Sequence, residues 1–130
     1  MKQNFLVACC LLVFSLSLKA QSNDCKLAHV GTFKIDSGEY GVTTIERTKN
    51  KQIETNDKLG FKAEYDVVWT DDCHYELKTK RVLQGDLGYE GNPTDVVKVE
   101  ILKVENAMVH VRLSSNFSDF VTDAVIEKIN

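Results

Sequence analysis

The sequence predicts an all-β domain, an antiparallel meander of about eight short strands that closes as a small barrel or folds as a sandwich. Three observations predict it. Apolar and polar residues alternate with period two through most of the chain, as is typical of half-buried strands. Turn signals recur about every 8–12 residues. No segment shows the apolar period of an amphipathic helix.

The clearest alternation lies in residues 61–69 and continues through the hairpin that follows. One face carries Phe61, Ala63, Tyr65, Val67 and Trp69, and the other carries Lys62, Glu64 and Asp66. Residues 70–72 predict a turn, since aspartate side chains hydrogen-bond their own backbone there. Cys73, Tyr75 and Leu77 then form the next inward face, so Trp69 and Cys73 flank one tight hairpin.

Shorter alternating runs predict the remaining strands at 31–35, 40–48, 52–55, 95–104 and 107–113. The last segment, 117–129, alternates less cleanly and is either a bulged strand or a short terminal helix, of which we favour the strand. The longest predicted loop spans 84–94. Because the chain has a single proline and no stiff linker, residues 21–130 predict one domain.

Residues 1–20 have the three parts of a secretory signal peptide: Lys2, an apolar run over 5–18, and Ala20 at the end. The run is shorter than the ~20 residues that span a bilayer. We therefore expect an exported protein, periplasmic or extracellular, with no transmembrane span in the mature chain. Cys9 also follows a short lipoprotein-like pattern, so lipid anchoring at Cys9 or Cys10 is an alternative.

Charge and size limit the function classes. The chain has a formal net charge of −3, which becomes −5 once Lys2 and Lys19 leave with the signal peptide. Nucleic-acid partners need a basic face, so we expect none. The sequence also has no polybasic patch that would bind anionic lipid.

Two cysteines remain outside the signal peptide, Cys25 and Cys73, and an even count in an exported chain favours a disulfide. The alternatives are two buried thiols or a metal pair that includes His74. Adjacent residues on a strand point to opposite faces, so Cys73 and His74 do not easily share one ion.

No residue pattern predicts catalysis, a metal site or a cofactor. His29, His74 and His110 have no metal-ligand spacing, and the acidic, glycine-rich segment 85–92 matches no calcium loop. The serines near residue 115 do not form a nucleophile elbow. A hydrolase is therefore the least favoured hypothesis, and we expect a protein that is not an enzyme.

Inward aromatic residues are the candidate ligand-binding residues. If the barrel leaves space inside, they line a pocket for a small apolar ligand; the alternative is that they only fill the core. They are Phe33, Phe61, Tyr65, Trp69 and Tyr75. The leading hypothesis is an exported binding or interaction module, and the second is a structural, envelope-associated domain that contacts other proteins.

Several motifs occur together in residues 25–77: an early Cys25, Gly31-Thr32-Phe33-Lys34, Ile45-Glu46-Arg47, and Trp69-Thr70-Asp71-Asp72-Cys73-His74-Tyr75-Glu76-Leu77. In these the chain resembles a small exported family of Bacteroidota, especially flavobacteria, which implies no established activity. Some similar sequences carry a topoisomerase IV label, which an acidic, exported chain of this length without a nucleotide-binding loop does not support. The Gly31-Thr32-Phe33 strand before a meander is also loosely similar to lipocalin-like barrels, although the tryptophan that usually follows the glycine there is absent.

Overall fold

The computed structural model describes residues 22–86 and 91–130. The predicted signal peptide, with Cys9 and Cys10, lies outside the described residues, as do residues 87–90 of the longest predicted loop. The elements are, in chain order, α1 (Ser22–Lys26), β1 (Gly31–Asp36), a 3-10 turn (Gly38–Tyr40), β2 (Val42–Arg47), β3 (Lys51–Asn56), β4 (Phe61–Asp71), β5 (His74–Gln84), β6 (Val97–Glu105), β7 (Met108–Ser115) and β8 (Thr122–Lys128).

The eight strands of the described residues form one closed antiparallel barrel. Each strand pairs with the next along the chain, and β8 returns to β1 through Phe33 opposite Lys128 and Lys34 opposite Glu127. Closure removes the free sheet edges that a sandwich would leave. The all-β meander is thus confirmed, and of the two predicted forms the barrel is the one observed.

The period-two patterns place the core inside this barrel. Phe61, Ala63 and Val67 of β4 are buried, while the side chains between them are more exposed. The central cluster draws one or two residues from nearly every strand: Phe33, Ile45, Val67, Tyr75, Leu77, Val99, Ile101, Val109, Val111 and Ile126.

Two predicted segments differ from the observed elements. No segment of the sequence predicts a helix from its apolar period, whereas Ser22–Lys26 form a short helix, because Cys25 and Ala28 are buried against the barrel and fix the local backbone. The segment 117–129 does contain the favoured strand, but β8 begins only at Thr122. Residues 116–121 form a loop that Asn116 holds to Thr94 and Val96 through its side-chain amide.

The N-terminal segment closes one end of the barrel. The predicted disulfide is present: Cys25 in α1 bonds Cys73 in the turn between β4 and β5, with their Cα atoms 5.2 Å apart. The ring of His29 stacks on Trp69 with 3.7 Å between ring centroids. Lys128 adds a hydrogen bond to the carbonyl oxygen of Leu27. We call this the closed end.

The opposite end, which we call the open end, carries the described connecting residues 37–41, 57–60, 85–86, 91–96 and 116–121. Here β5 and β6 separate. Their pairing covers only four residue pairs, from His74 opposite Glu100 to Leu77 opposite Val97. Residues 78–84 of β5 therefore pair with β4 alone, and a gap opens on their other side.

A bulge in β5 turns one lysine towards this gap. Asp66 lies opposite Lys78 and Glu64 opposite Arg81, so Thr79 and Lys80 together face Tyr65. Thr79 has a φ of 53°, a left-handed conformation that is uncommon for a threonine. As a result, the Nζ atom of Lys80 lies 5.3 Å from the centroid of the Phe61 ring.

Candidate ligand-binding site

A cavity of about 170 Å³ lies inside the barrel. Most of its wall is aliphatic, with a smaller polar sector contributed by β2 and β3. The lining residues are Ile35, Ile45, Arg47, Gln52, Glu54, Tyr65, Tyr75, Leu77, Val97, Val99, Val111, Leu113, Ala124 and Ile126. The inward face is therefore not completely filled by side chains, which the ligand hypothesis required.

A groove of about 410 Å³ adjoins the cavity at the gap between β5 and the segment before β6. Tyr65, Leu77 and Val97 line both spaces, so the groove lies against the cavity wall at these three residues. Its outer part is lined by Lys78, Thr79, Lys80, Val82, Gly91, Asn92, Pro93, Asp95 and Phe117. The early separation of β5 from β6 thus leaves room for this groove beside the cavity.

Arg47 is the central polar group of the cavity, and only 4% of it is exposed. Its Nε donates to Oε1 of Gln52 at 2.8 Å, Nη1 to the carbonyl oxygen of Ala28 at 2.6 Å, and Nη2 to the hydroxyl of Tyr75 at 2.9 Å. The guanidinium carbon also lies within 4.8 Å of the ring centroids of Phe33 and Tyr75, within the range of cation–π attraction. Arg47 thus joins the closed end to the cavity wall.

Glu54 lies two residues beyond Gln52 on the same face of β3. Nε2 of Gln52 donates to Oε1 of Glu54 at 2.9 Å, so Gln52 bridges the guanidinium of Arg47 and this carboxyl. Burial raises the pKa of Glu54 above 4.5, and the Gln52 hydrogen bond, Lys80 and Arg47 offset only part of that rise. Glu54 is therefore protonated more readily than an exposed glutamate.

The two cavity tyrosines stay neutral hydrogen-bonding groups. Burial raises the pKa of Tyr65 and of Tyr75, and in both cases the nearby Glu54 carboxylate raises it further. In Tyr75 the positive charge of Arg47 opposes this effect. Each phenol can therefore donate its proton to an acceptor on a ligand.

The five aromatic residues singled out from the sequence divide into two groups. Tyr65 and Tyr75 line the cavity. Phe33 and Phe61 are buried in the barrel wall, and Trp69 is held at the closed end between the rings of His29 and Tyr75. A molecule in the cavity would contact the two tyrosines, while the other three shape and close the barrel.

The three polar residues of the cavity wall that the sequence did not predict are Arg47, Gln52 and Glu54. A polar or charged residue type ordinarily indicates an outward position on a strand. One signal was present: Arg47 lies two residues after Ile45 in a predicted strand, and period two places both on the inward face.

Other features of the described residues give less support for a ligand-binding site. A groove of about 490 Å³ lies on the outer face of β5, β6 and β7, where His74 faces Glu100, and Arg112 is paired with Asp123. Within residues 22–86 and 91–130, no three His, Cys, Asp or Glu side chains are grouped so as to hold a metal ion. Over the same ranges, no helix has the length and apolar character needed to cross a bilayer.

The buried carboxyl gives a prediction on stability. Because the pKa of Glu54 is higher in the folded than in the unfolded chain, the contribution of Glu54 to wild-type stability falls as the pH rises through that folded-state value. Glutamine cannot ionise. We therefore expect Glu54→Gln to gain stability relative to the wild type as the pH rises from 4 to 7, measured by urea denaturation at each pH.

Glu39→Gln is the matched control, since Glu39 is an exposed acid in the 3-10 turn at the open end. Its difference from the wild type should change little over the same pH range. A Glu54→Gln difference that is constant or shrinks with rising pH would contradict the assignment of Glu54 to a desolvated position.

Comparison with known proteins gives no relative for this chain: no protein-family model, no curated protein and no solved structure matches it. The resemblance to the flavobacterial family therefore stays a prediction from the motifs.

Proposed function

We propose that the protein is an exported, non-enzymatic binding module that holds a small, largely apolar molecule inside its barrel. The observation that carries this proposal is the cavity of about 170 Å³, which shares three lining residues with the groove at the β5–β6 gap. A dry cavity of about 150 Å³ is large enough to bind benzene. The cavity alone thus takes a ligand of roughly that size, and a longer molecule would extend into the groove.

Export is supported by the Cys25–Cys73 disulfide, since such bonds persist mainly in oxidising compartments. Export also agrees with the signal peptide predicted at residues 1–20. Periplasmic or extracellular location is part of the same proposal.

The proposal predicts that the wild-type protein binds benzyl alcohol, a neutral probe of suitable size, in a saturable manner. Titration followed by ¹⁵N–¹H NMR should shift the amide signals of Tyr65, Leu77 and Val97, which line both cavity and groove. Ala124→Leu adds three carbons at the cavity wall and should abolish these shifts.

Ala107→Leu is the matched control, because Ala107 is exposed in the turn between β6 and β7. It should bind the probe like the wild type. Thermal melting of both variants verifies that they remain folded, since overfilling an interior costs about 1–3 kcal/mol. Absence of shifts in the wild type, or unchanged binding by folded Ala124→Leu, would argue against the cavity as the site.

A second candidate is an envelope-associated interaction domain, favoured by apolar side chains exposed at the open end. Tyr40, Leu59, Phe117, Phe120 and Val121 are each between 47% and 70% exposed. Exposed apolar groups that lie together commonly mark a protein contact. On this alternative, Phe120→Ser should weaken a protein complex without changing benzyl alcohol binding.

A further inference from the structure

The charges along the path into the barrel differ in sign from those of the whole chain. Arg47 and Glu54 line the cavity, and Lys78, Lys80 and Asp95 line the groove. Among the described lining residues, three bases thus face two acids, whereas the whole chain has 19 acids and 16 bases. Lys78 also approaches Glu76, with its Nζ 3.8 Å from the carboxylate, so Lys80 is the more available cation of the groove.

Arg47 is a buried cation that contacts only neutral acceptors in the described structure. Its three hydrogen bonds go to an amide oxygen, a carbonyl oxygen and a hydroxyl, and no carboxylate of residues 22–86 or 91–130 lies within ion-pair distance. Nη1 and Nη2 each carry a second hydrogen. A buried charge without a counter-ion is costly, so an anion that reached Arg47 would be bound strongly.

Among the described residues, Glu54 is the only acid on the cavity wall, and it does not neutralise Arg47 directly because Gln52 lies between them. The two groups also differ in chemistry. A carboxyl in a desolvated position can take up a proton, whereas a guanidinium does not lose one in proteins. The guanidinium of Arg47 therefore keeps its charge at any pH, whereas burial raises the pKa of Glu54 and so works against the charge of that carboxyl.

We propose that the ligand is a small carboxylate with an apolar body, whose anionic group pairs with Arg47 and the Tyr75 hydroxyl and enters past Lys80. This proposal rests on the proposed function and specifies the class of molecule. The aliphatic wall of Ile45, Val99 and Val111 receives the apolar body. The phenol of Tyr65, which also lines the cavity, supplies a further donor to the carboxylate oxygens.

The opposite class, a small amine held by Glu54, fits less well. A cationic group beside Glu54 would also approach Arg47 and Lys80, both of which act electrostatically on that carboxyl. It would raise the positive charge of a space that already has an excess. Acceptors for its hydrogens are fewer too, since the oxygen of Gln52 is engaged by Arg47.

Three probes of nearly equal size separate these possibilities: benzoate, benzyl alcohol and benzylamine, titrated at pH 7 in a buffer without carboxylate or phosphate. We expect benzoate to bind at least about tenfold more tightly than benzyl alcohol, the typical gain from hydrogen bonds to a charged group. Benzylamine should bind most weakly. Tightest binding by benzylamine, or equal affinity for all three, would overturn the carboxylate proposal but leave the binding module in place. No binding by any probe would overturn both.

Lys80→Gln tests whether the carboxylate enters past Lys80, and it does not disturb the closed end. We expect benzoate affinity to fall by about threefold or more, as the loss of a nearby charge predicts, while benzyl alcohol affinity stays unchanged. Lys98→Gln is the matched control, since Lys98 lies on the outer face of β6 and lines the outer groove instead. Equal effects of the two substitutions on benzoate would contradict the proposal.

Glu54→Gln distinguishes the two charge classes in a single variant. It removes the one acid that residues 22–86 and 91–130 place on the cavity wall, so benzoate should bind the variant as tightly as the wild type or more tightly. If Glu54→Gln lost the binding of both benzoate and benzylamine, Glu54 would be the group that holds the ligand, and the carboxylate proposal would be overturned. Arg47→Met should reduce benzoate affinity to that of benzyl alcohol, and the Lys80 and Glu54 variants decide the matter if Arg47→Met does not fold.

Discussion

Phe33→Ala is expected to lower the free energy of unfolding by about 3–5 kcal/mol, the range for a phenylalanine truncated in a packed core. Phe33 is 1% exposed and lies in the middle of β1, opposite Ile45. Its ring also faces the guanidinium of Arg47 at 4.8 Å. The substitution therefore leaves a void and removes a cation–π contact at once. Urea denaturation at constant pH measures the loss.

Phe120→Ala is the matched control, because Phe120 is 70% exposed in the loop before β8. Its effect should stay within about 0.5 kcal/mol, as for most surface substitutions. A comparable loss for both variants, or a loss of less than about 1 kcal/mol for Phe33→Ala, would place the core elsewhere than on the inward face of β1.

Removal of the Cys25–Cys73 disulfide by the double substitution Cys25→Ala and Cys73→Ala should cost about 4 kcal/mol in the chain-entropy model. The two cysteines are separated by 48 residues, so the bond restrains a long loop in the unfolded chain. It also holds α1 against the closed end, where His29 stacks on Trp69. Denaturation of oxidised wild type and double variant gives the difference.

Trp69 supplies a second readout, because it is the only tryptophan of the chain. Its emission should shift to the red in the folded double variant if α1 leaves the closed end. Dithiothreitol should destabilise the wild type and leave the double variant unchanged. Equal stability of the wild type with and without reductant would contradict a stabilising disulfide.

The strands with one apolar face could be predicted from the sequence, because period two is a local property. Phe61, Ala63 and Val67 show it clearly, and all three are buried on β4. Closure into a barrel is different, since it depends on pairing between β1 and β8 at opposite ends of the chain. The sequence alone therefore left both barrel and sandwich open.

The polar residues of the site could not be predicted from the local alternation of residue types, for a physical reason. Arg47 is stabilised inside by acceptors from three separate segments, the carbonyl of Ala28, the amide of Gln52 and the hydroxyl of Tyr75. Lys80 faces the groove because the bulge at Thr79 shifts the register of β5. Such contacts arise only after the strands have paired, and a residue type by itself does not reveal them.

Native mass spectrometry of the protein purified from its own host tests the central claim most directly. We expect the mass of the chain plus a small, defined additional mass. The additional mass should belong to an anionic molecule that dissociates on denaturation, and Ala124→Leu should lack it. A bare mass that stays bare when benzyl alcohol and benzoate are added would contradict binding in the barrel. An added mass of protein size, unaffected by Ala124→Leu, would instead support the interaction domain.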